Sequence, residues 1–427
     1  MTPRTPIIIV GVCLLLRAAF ALGTEIYPDE AYYWTWAQRP QLAYFDHPGL
    51  IAWSIALLGI RTGAIFWGLL TLAGVHRLAS SLGASREQAW WATALFASTP
   101  ASALLGTLST PDAPLLAFWV WTLVALQGKR PAVTGLLWGL AMLSKYNGVL
   151  LAVPVLMVFF RRPLQLALAT LLALAVTSPT IAWNATHDWE GFRFQLWHGL
   201  TGGGGGLLTF LEFLGAQLLM GGPVLVALAA WWLARERSSA VLKLATLLPL
   251  AFFGLAAWST RGEANWAAAA WLSASVGLAL AAPFSRWKQA AVALNLALLF
   301  VCTALIVFPP AALWELSPVK KLHGWAWLER ARHEKLPVIT NRYQLSGLVA
   351  FHARVPVSTL GGRRSQFDLW GPTALAPGAD ALWIGEWEGP PPALVEQFET
   401  STQLDWPLDQ RQRVLHPFLV FKLGKKK

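Results

Sequence analysis

The sequence predicts an all-α polytopic membrane protein with a small α/β domain at its C-terminal end. Three observations carry that expectation. Only 13% of the 427 residues are charged, about half the ~25% usual in soluble chains. The mean hydropathy is +0.49. Apolar runs recur from Pro6 to Phe308, many of them near the ~20 residues that a helix needs to cross the hydrocarbon core. This pattern excludes a soluble enzyme.

Taken in order, about eleven apolar segments emerge, at 5–23, 62–80, 88–108, 112–127, 131–146, 148–160, 164–183, 208–233, 240–258, 266–283 and 287–308. The pair 131–146 and 148–160 also reads as one long broken helix. The net charge of +11 is not spread over one face, as a nucleic-acid binder would need. It sits in short clusters between apolar runs: Lys129-Arg130, Arg161-Arg162, Arg235 with Arg237, and Arg286 with Lys288. That is the footprint of cytoplasmic loops. With the N-terminus inside, Asp29, Glu30, Asp46, Asp112, Asp188, Glu190 and Glu263 all fall at or near the outer face, where any chemistry is expected. Cys13 and Cys302 lie inside apolar runs, which argues against a disulfide framework or a zinc site. Arg4 precedes an apolar run with no A-x-A-like site, so an uncleaved first helix is expected rather than a signal peptide.

Two outer segments are long enough to carry structure. In 24–61, the stretch His47 to Ile60 reads as a short interfacial helix. Segment 184–207 contains Gly202 to Gly206, a run that cannot hold a helix and is either a connector or a gate. From Pro309 the composition turns soluble. Strand-like runs at Pro337–Thr340, Val355–Leu360, Ala381–Glu386 and Phe418–Leu423 alternate with helical stretches at Gln344–His352 and Ala393–Thr400. The division expected is a membrane domain over 1–308 and an outer α/β domain over 309–427.

The richest stretch is Tyr27-Pro28-Asp29-Glu30-Ala31-Tyr32-Tyr33-Trp34, followed by Tyr44-Phe45-Asp46-His47-Pro48. Adjacent carboxylates beside a membrane are costly to desolvate and are functional candidates. Two such acids can divide labour, one as general base and one orienting it or a sugar hydroxyl. The neighbouring aromatics suit a sugar ring.

These residues resemble the first periplasmic loop of bacterial glycosyltransferase family 39, whose members include protein O-mannosyltransferases, lipid A aminoarabinose transferases and lipopolysaccharide galacturonosyl transferases. Further similar motifs are Thr110-Pro111-Asp112-Ala113-Pro114-Leu115-Leu116, Leu143-Ser144-Lys145-Tyr146, Gly262-Glu263-Ala264-Asn265-Trp266, Arg342-Tyr343-Gln344-Leu345 and Gln366-Phe367-Asp368-Leu369-Trp370. The pattern departs from the family at Gly49, where a second proline is usual, in the short stretch 50–61, and at Ala267.

The resemblance implies the GT-C fold and a catalytic site on the outer face of the bacterial cytoplasmic membrane. A sugar would pass there, with inversion, from a polyprenyl-phosphate donor to a lipopolysaccharide, another envelope glycan or a protein hydroxyl. It implies Asp29 as general base, or as an orienting group if the acceptor is a phosphate, with Glu30 supporting it or binding the sugar. Tyr32, Tyr33, Tyr146, Glu263 and Asn265 would line the substrate. Lys145 would meet the leaving phosphate or snorkel to the interface. Arg261 would bind phosphate or pair with Glu263. Asp112 would touch substrate or cap its helix. His47 would contact donor phosphate, ligate a metal or brace the loop. A divalent cation, if used, would fall to Glu30, Asp46 and His47. Gln344, Gln366, Asp368 and Trp370 would select the acceptor or stabilise their own turns. A lipid-linked sugar transporter is the rival class, although transport sites usually lie at the bilayer midplane.

Overall fold

The computed structural model describes residues 4–197, 203–236, 239–281, 285–406 and 418–427. The chain divides into two compact units. The first comprises residues up to Ala21 together with Gln41–Thr303, and the second comprises Leu22–Pro40 with Ala304–Lys427.

The first unit is helical. Four helices, Arg4–Gly23, Pro163–Thr186, Ala240–Ser259 and Ser285–Val307, are long and apolar enough to span a membrane. Two further candidates are bent pairs, Leu50–Leu58 with Ile60–Ser81 at 110° and Leu207–Gly221 with Pro223–Arg235 at 102°. The remaining apolar helices are shorter, such as Asp112–Gln127, Pro131–Ser144 and Ala269–Leu280. Among the described residues there are therefore four spans, or six with the bent pairs, where the sequence suggested about eleven segments.

The differences have local causes. The 208–233 segment is not one helix, because Gly222 turns left-handed (φ 84°) and Pro223 restarts the helix. The 88–108 segment breaks after Ala97, where the Thr99 hydroxyl caps a new helix at Ser102 N (3.1 Å) and Pro100 takes its first position. Arg17, buried in the first helix, bridges this break by donating to Ala97 O (3.3 Å) and Ser102 Oγ (2.7 Å). The interfacial helix is present as Leu50–Leu58. Gly202, Arg237 and residues 282–283 of the 266–283 segment lie outside the described residues. Of the other run glycines, Gly203, Gly204 and Gly206 have positive φ. Gly205 packs so tightly that a Cβ would fall 2.3 Å from the Ser259 carbonyl carbon, so this part of the run is pinned against the end of a helix.

The core of this unit holds Phe96, Trp119, Phe159, Trp232 and Trp271, all nearly fully buried. Small residues bring the Pro131–Ser144 and Pro163–Thr186 helices together, with Gly135 and Gly139 facing the backbone of Ala169 and Ala173.

The second unit is a five-stranded sheet in the order β2-β1-β3-β5-β4, with β1 Val338–Thr340, β2 Val357–Thr359, β3 Ala381–Glu386, β4 Phe398–Leu404 and β5 Phe418–Lys426. β1 runs parallel to β2 and β3, and β5 is antiparallel to both β3 and β4. The Tyr343–Ala353 helix follows the expected 344–352 stretch. The expected helix at 393–400 shrinks to Pro392–Val395, and Phe398 onward is strand β4. The β-branched and alternating Phe-Glu-Thr-Ser-Thr-Gln-Leu favours an edge strand once β5 offers its partner. Residues 28–37, placed in a loop by the sequence, form a helix that packs on Tyr343–Ala353 through Gly347, where a Cβ would lie 2.7 Å from Tyr32 N.

Because a Cβ at Gly135 would approach Ala169 O to 2.3 Å, Gly135→Ala is expected to cost about 1–3 kcal/mol through overpacking. It should lower the melting temperature of the purified protein, while Gly11→Ala, where nothing lies within 4 Å, should leave it unchanged.

Candidate active site

The Pro131–Ser144 helix stops at Lys145, whose backbone is extended (φ −157°, ψ 143°), and a 3₁₀ turn Tyr146–Leu151 follows. This break aims Lys145 into the first unit. Its Nζ lies 2.9 Å from both carboxylate oxygens of Asp112, and both side chains are about 5% exposed. Asn265, in the turn before the Ala269–Leu280 helix, donates from Nδ2 to Asp112 Oδ2 at 2.7 Å. Snorkelling of Lys145 is thereby overturned, since the ammonium points inward to a carboxylate. Asp112 opens the Asp112–Gln127 helix, where the positive end of the helix dipole favours its charge. Its carboxylate contacts are Lys145 and Asn265. An ammonium has three donors. Two point at Asp112, which leaves one for a further oxygen.

Beside Lys145 in sequence, the Tyr146 hydroxyl accepts from Asn184 Nδ2 at 3.5 Å, and its ring packs on Phe192. Asn184 also accepts from Phe192 N through Oδ1 (3.0 Å). Gly191 fits because a Cβ there would meet Asn184 Oδ1 and Tyr146 OH at 3.0 Å. Sequence reasoning missed Asn184, whose only signal is a lone amide at the end of an apolar helix.

The turn carrying Asp46 and His47 is closed by a bridge between Ala43 and Pro48 and by Tyr44 N donating to His47 O at 3.0 Å. Gln195 Nε2 donates to Asp46 O at 2.6 Å. Burial pushes the Tyr44 phenol up to about 12, so it stays protonated and accepts from Gln41 N. Arg261 is exposed and its Nε lies 3.8 Å from Glu212, not Glu263. The expected Arg261–Glu263 pair is thus replaced by one with the facing helix. Glu263 is exposed in the same loop.

In the second unit, Pro28–Ala37 begins with Pro28 at its first position, and the buried Glu30 carboxylate accepts from Tyr27 N at 3.0 Å as part of the cap. Glu30 therefore supports the turn that presents Asp29. Asp29 is half-buried and lines a cavity of about 300 Å³ with Lys320, Lys321, Arg342, Gln344 and Glu386. Arg342 pairs with Glu386. Burial lowers the guanidinium's proton affinity, and it stays charged at neutral pH.

Tyr32 and Tyr33 do not face this cavity. Tyr32 is 1% exposed, its ring 4.6 Å from that of Tyr343, and its hydroxyl accepts from Gln366 N at 2.7 Å. Tyr33 packs on Trp36. Gln366 is buried, and Asp368 Oδ2 accepts from Ser365 N (2.7 Å) and Ser365 Oγ (2.8 Å), a helix cap. These four build the unit's interior and turns. The cavity lysines were missed, since Lys320-Lys321 carries no spacing signal. Among the described residues, no group of three or more His, Cys, Asp or Glu is placed to hold a metal ion.

Residues 46–183 match the dolichyl-phosphate-mannose-protein mannosyltransferase family. The fold is similar to that of ArnT from Cupriavidus metallidurans bound to undecaprenyl phosphate, with a TM-score of 0.69, 14% identity and coverage of 99% of this chain and 98% of that one. The apo state of the same protein gives 0.67 at 15% identity, covering 97% of each chain. These structural likenesses show the fold. In sequence, the chain is similar to the lipid A galacturonosyltransferase RgtD of Rhizobium johnstonii, 29% identical over 74% of this chain and 72% of that protein.

Removing either charge of the buried pair leaves the other uncompensated, at about 3–5 kcal/mol. Lys145→Met and Asp112→Leu should each lower the melting temperature, and the double variant should recover most of the loss in a double-mutant cycle. Equal and additive losses would show that the two side chains are not coupled.

Proposed function

We propose that the chain transfers a sugar from a polyprenyl-phosphate donor to an envelope glycolipid, with lipid A or lipopolysaccharide as the acceptor, at the periplasmic face of the inner membrane. The observation that carries this reading is the buried Lys145, held by Asp112 and Asn265 at a break in its helix. A polyprenyl phosphate leaves with developing negative charge, and a cation fixed beforehand stabilises that charge with no reorganisation during the reaction. Lys145 has one donor left for a phosphate oxygen once Asp112 has taken two. The name of the lipid A transferase relative supports the acceptor class, and the undecaprenyl phosphate bound to the ArnT relative supports the donor class.

The acceptor hydroxyl gives its proton to the Asp29 carboxylate. Its oxygen forms the new bond to the anomeric carbon as the bond from that carbon to the phosphate oxygen breaks, and the configuration inverts. Asp29 suits the base role because it is half-buried and lines a cavity, while its neighbour Glu30 is committed to the cap.

Mass spectrometry of envelope glycolipids from matched strains tests the assignment. Deletion of the gene should remove one sugar from one acceptor. Asp29→Asn at equal membrane abundance should cut that product roughly 100-fold or more, as expected for loss of a general base. Wild-type product from Asp29→Asn would overturn the base role.

A further inference from the structure

We infer that Gln217 is a positioning residue for the charge centre at Lys145. It fixes the backbone on which Asn265 stands, and Asn265 orients the carboxylate that holds the ammonium. This deepens the proposed function and rests on it for the phosphate that Lys145 would meet. The link from Gln217 to Asn265 rests on the geometry alone.

Gln217 lies in the apolar Leu207–Gly221 helix and is 3% exposed. A buried amide is costly unless it is hydrogen-bonded. Trp271 Nε1 donates to Gln217 Oε1 at 3.1 Å, and Gln217 Nε2 donates to Ala264 O at 3.0 Å. An indole can only donate, so Trp271 decides which end of the amide is the oxygen and turns the nitrogen toward Ala264. The indole comes this close because Gly221, one turn further along, has no side chain. A Cβ there would fall 2.9 Å from Trp271 Cδ2. Asn295, buried in the Ser285–Val307 helix, ties down the same turn by donating from Nδ2 to Gly221 O at 3.1 Å.

The Ala264 carbonyl belongs to the peptide plane that also contains Asn265 N, and that plane is rigid. Holding the oxygen therefore holds the nitrogen of Asn265. On its other side, Asn265 O accepts from Ala268 N at 3.1 Å. Both peptide planes that flank Asn265 are thus fixed, and the freedom left to it is that of its side chain. Asn265 Nδ2 closes that freedom on Asp112 Oδ2 at 2.7 Å. The bond stops the carboxylate from turning about its own axis. The two bonds from Lys145 Nζ to Asp112, at 2.9 Å each, then set where the third N–H points.

Satisfying the Trp271 indole does not account for Gln217. Among the described residues, the indole N–H groups of Trp119, Trp183 and Trp232 are buried in the same unit with no hydrogen-bond partner. This bundle therefore forms around unbonded indoles. What Gln217 adds is the bond to Ala264, 47 positions away in the chain, at the residue that precedes Asn265.

The test uses the full-length protein in lipid nanodiscs and compares binding of undecaprenyl phosphate and undecaprenol by native mass spectrometry. Both lipids share the tail, so the ratio of their affinities reads the phosphate. Lys145→Met should abolish the preference for the phosphate. Gln217→Met, which removes both bonds at similar shape, should lower it roughly three- to tenfold, the range of one net hydrogen bond. Gln217→Asn, too short to reach both partners, should do the same and serves if the Met variant does not fold. Thr246→Val, which removes another buried hydrogen bond of this unit, should leave the ratio unchanged. In an Asn265→Ala background, the Gln217 substitution should lower the ratio no further and should cost less in melting temperature than it does alone. A folded Gln217 variant with the wild-type ratio, or losses that add in full, overturns the proposal. If the unaltered protein binds both lipids equally, the donor reading falls, and the melting temperatures of the Gln217–Asn265 cycle decide the positioning role without it.

Discussion

An ammonium inside an apolar helical bundle must be paired, and the first unit is arranged around that requirement. Lys145, Asp112 and Asn265 come from positions far apart in the chain and converge within hydrogen-bond distance. Each arrives from an interruption. Asp112 stands where a helix starts after Pro111, Lys145 where a helix stops, and Asn265 in the turn before a short helix. Continuous helices would have turned these polar groups along their sides and given them no common point. The short apolar helices of this unit are thus part of how the charge is accommodated.

The second unit meets a different requirement. It lines a polar cavity with acids and bases, Arg342 paired with Glu386 among them, and helix caps decide which further acids reach it. Glu30 and Asp368 illustrate the cost. Both are acids that look available in the sequence, and both are spent on satisfying backbone donors at helix starts. Asp29, one residue from a capping glutamate, is left facing the cavity because the cap fixes which side of the helix it occupies.

Much of this was legible in the residues. Low charge and apolar length marked a mostly helical chain, though not its number of spans, and three of the quoted motifs supplied Asp112, Lys145 and Asn265, which the structure brings together. Breaks were harder to read. Hydropathy runs straight through Thr99-Pro100 and Gly222-Pro223, because neither pair changes the apolar content while both change the backbone. Strand β4 was hidden because an edge strand depends on its neighbour, and Phe398–Leu404 is mostly exposed and polar. The Pro28–Ala37 helix reads as a loop because most of its residues are aromatic or acidic. Its stability comes from packing on Tyr343–Ala353, which no local window contains.

That packing has a consequence for the order of assembly. The bond from Gln366 N to the Tyr32 hydroxyl joins residues 334 positions apart, and Ala31 belongs to the same core as Val338, Leu348 and Ile384. During synthesis the helix bearing Asp29 emerges early, and its apolar face stays uncovered until the sheet has been made. Contacts of such separation are slow to form and leave surface open to misassembly in the meantime. β5, the last strand in chain order, lies inside the sheet between β3 and β4, so the sheet closes only when its final strand is delivered. The helix that carries Asp29 is therefore covered only after strands far along the chain have been made.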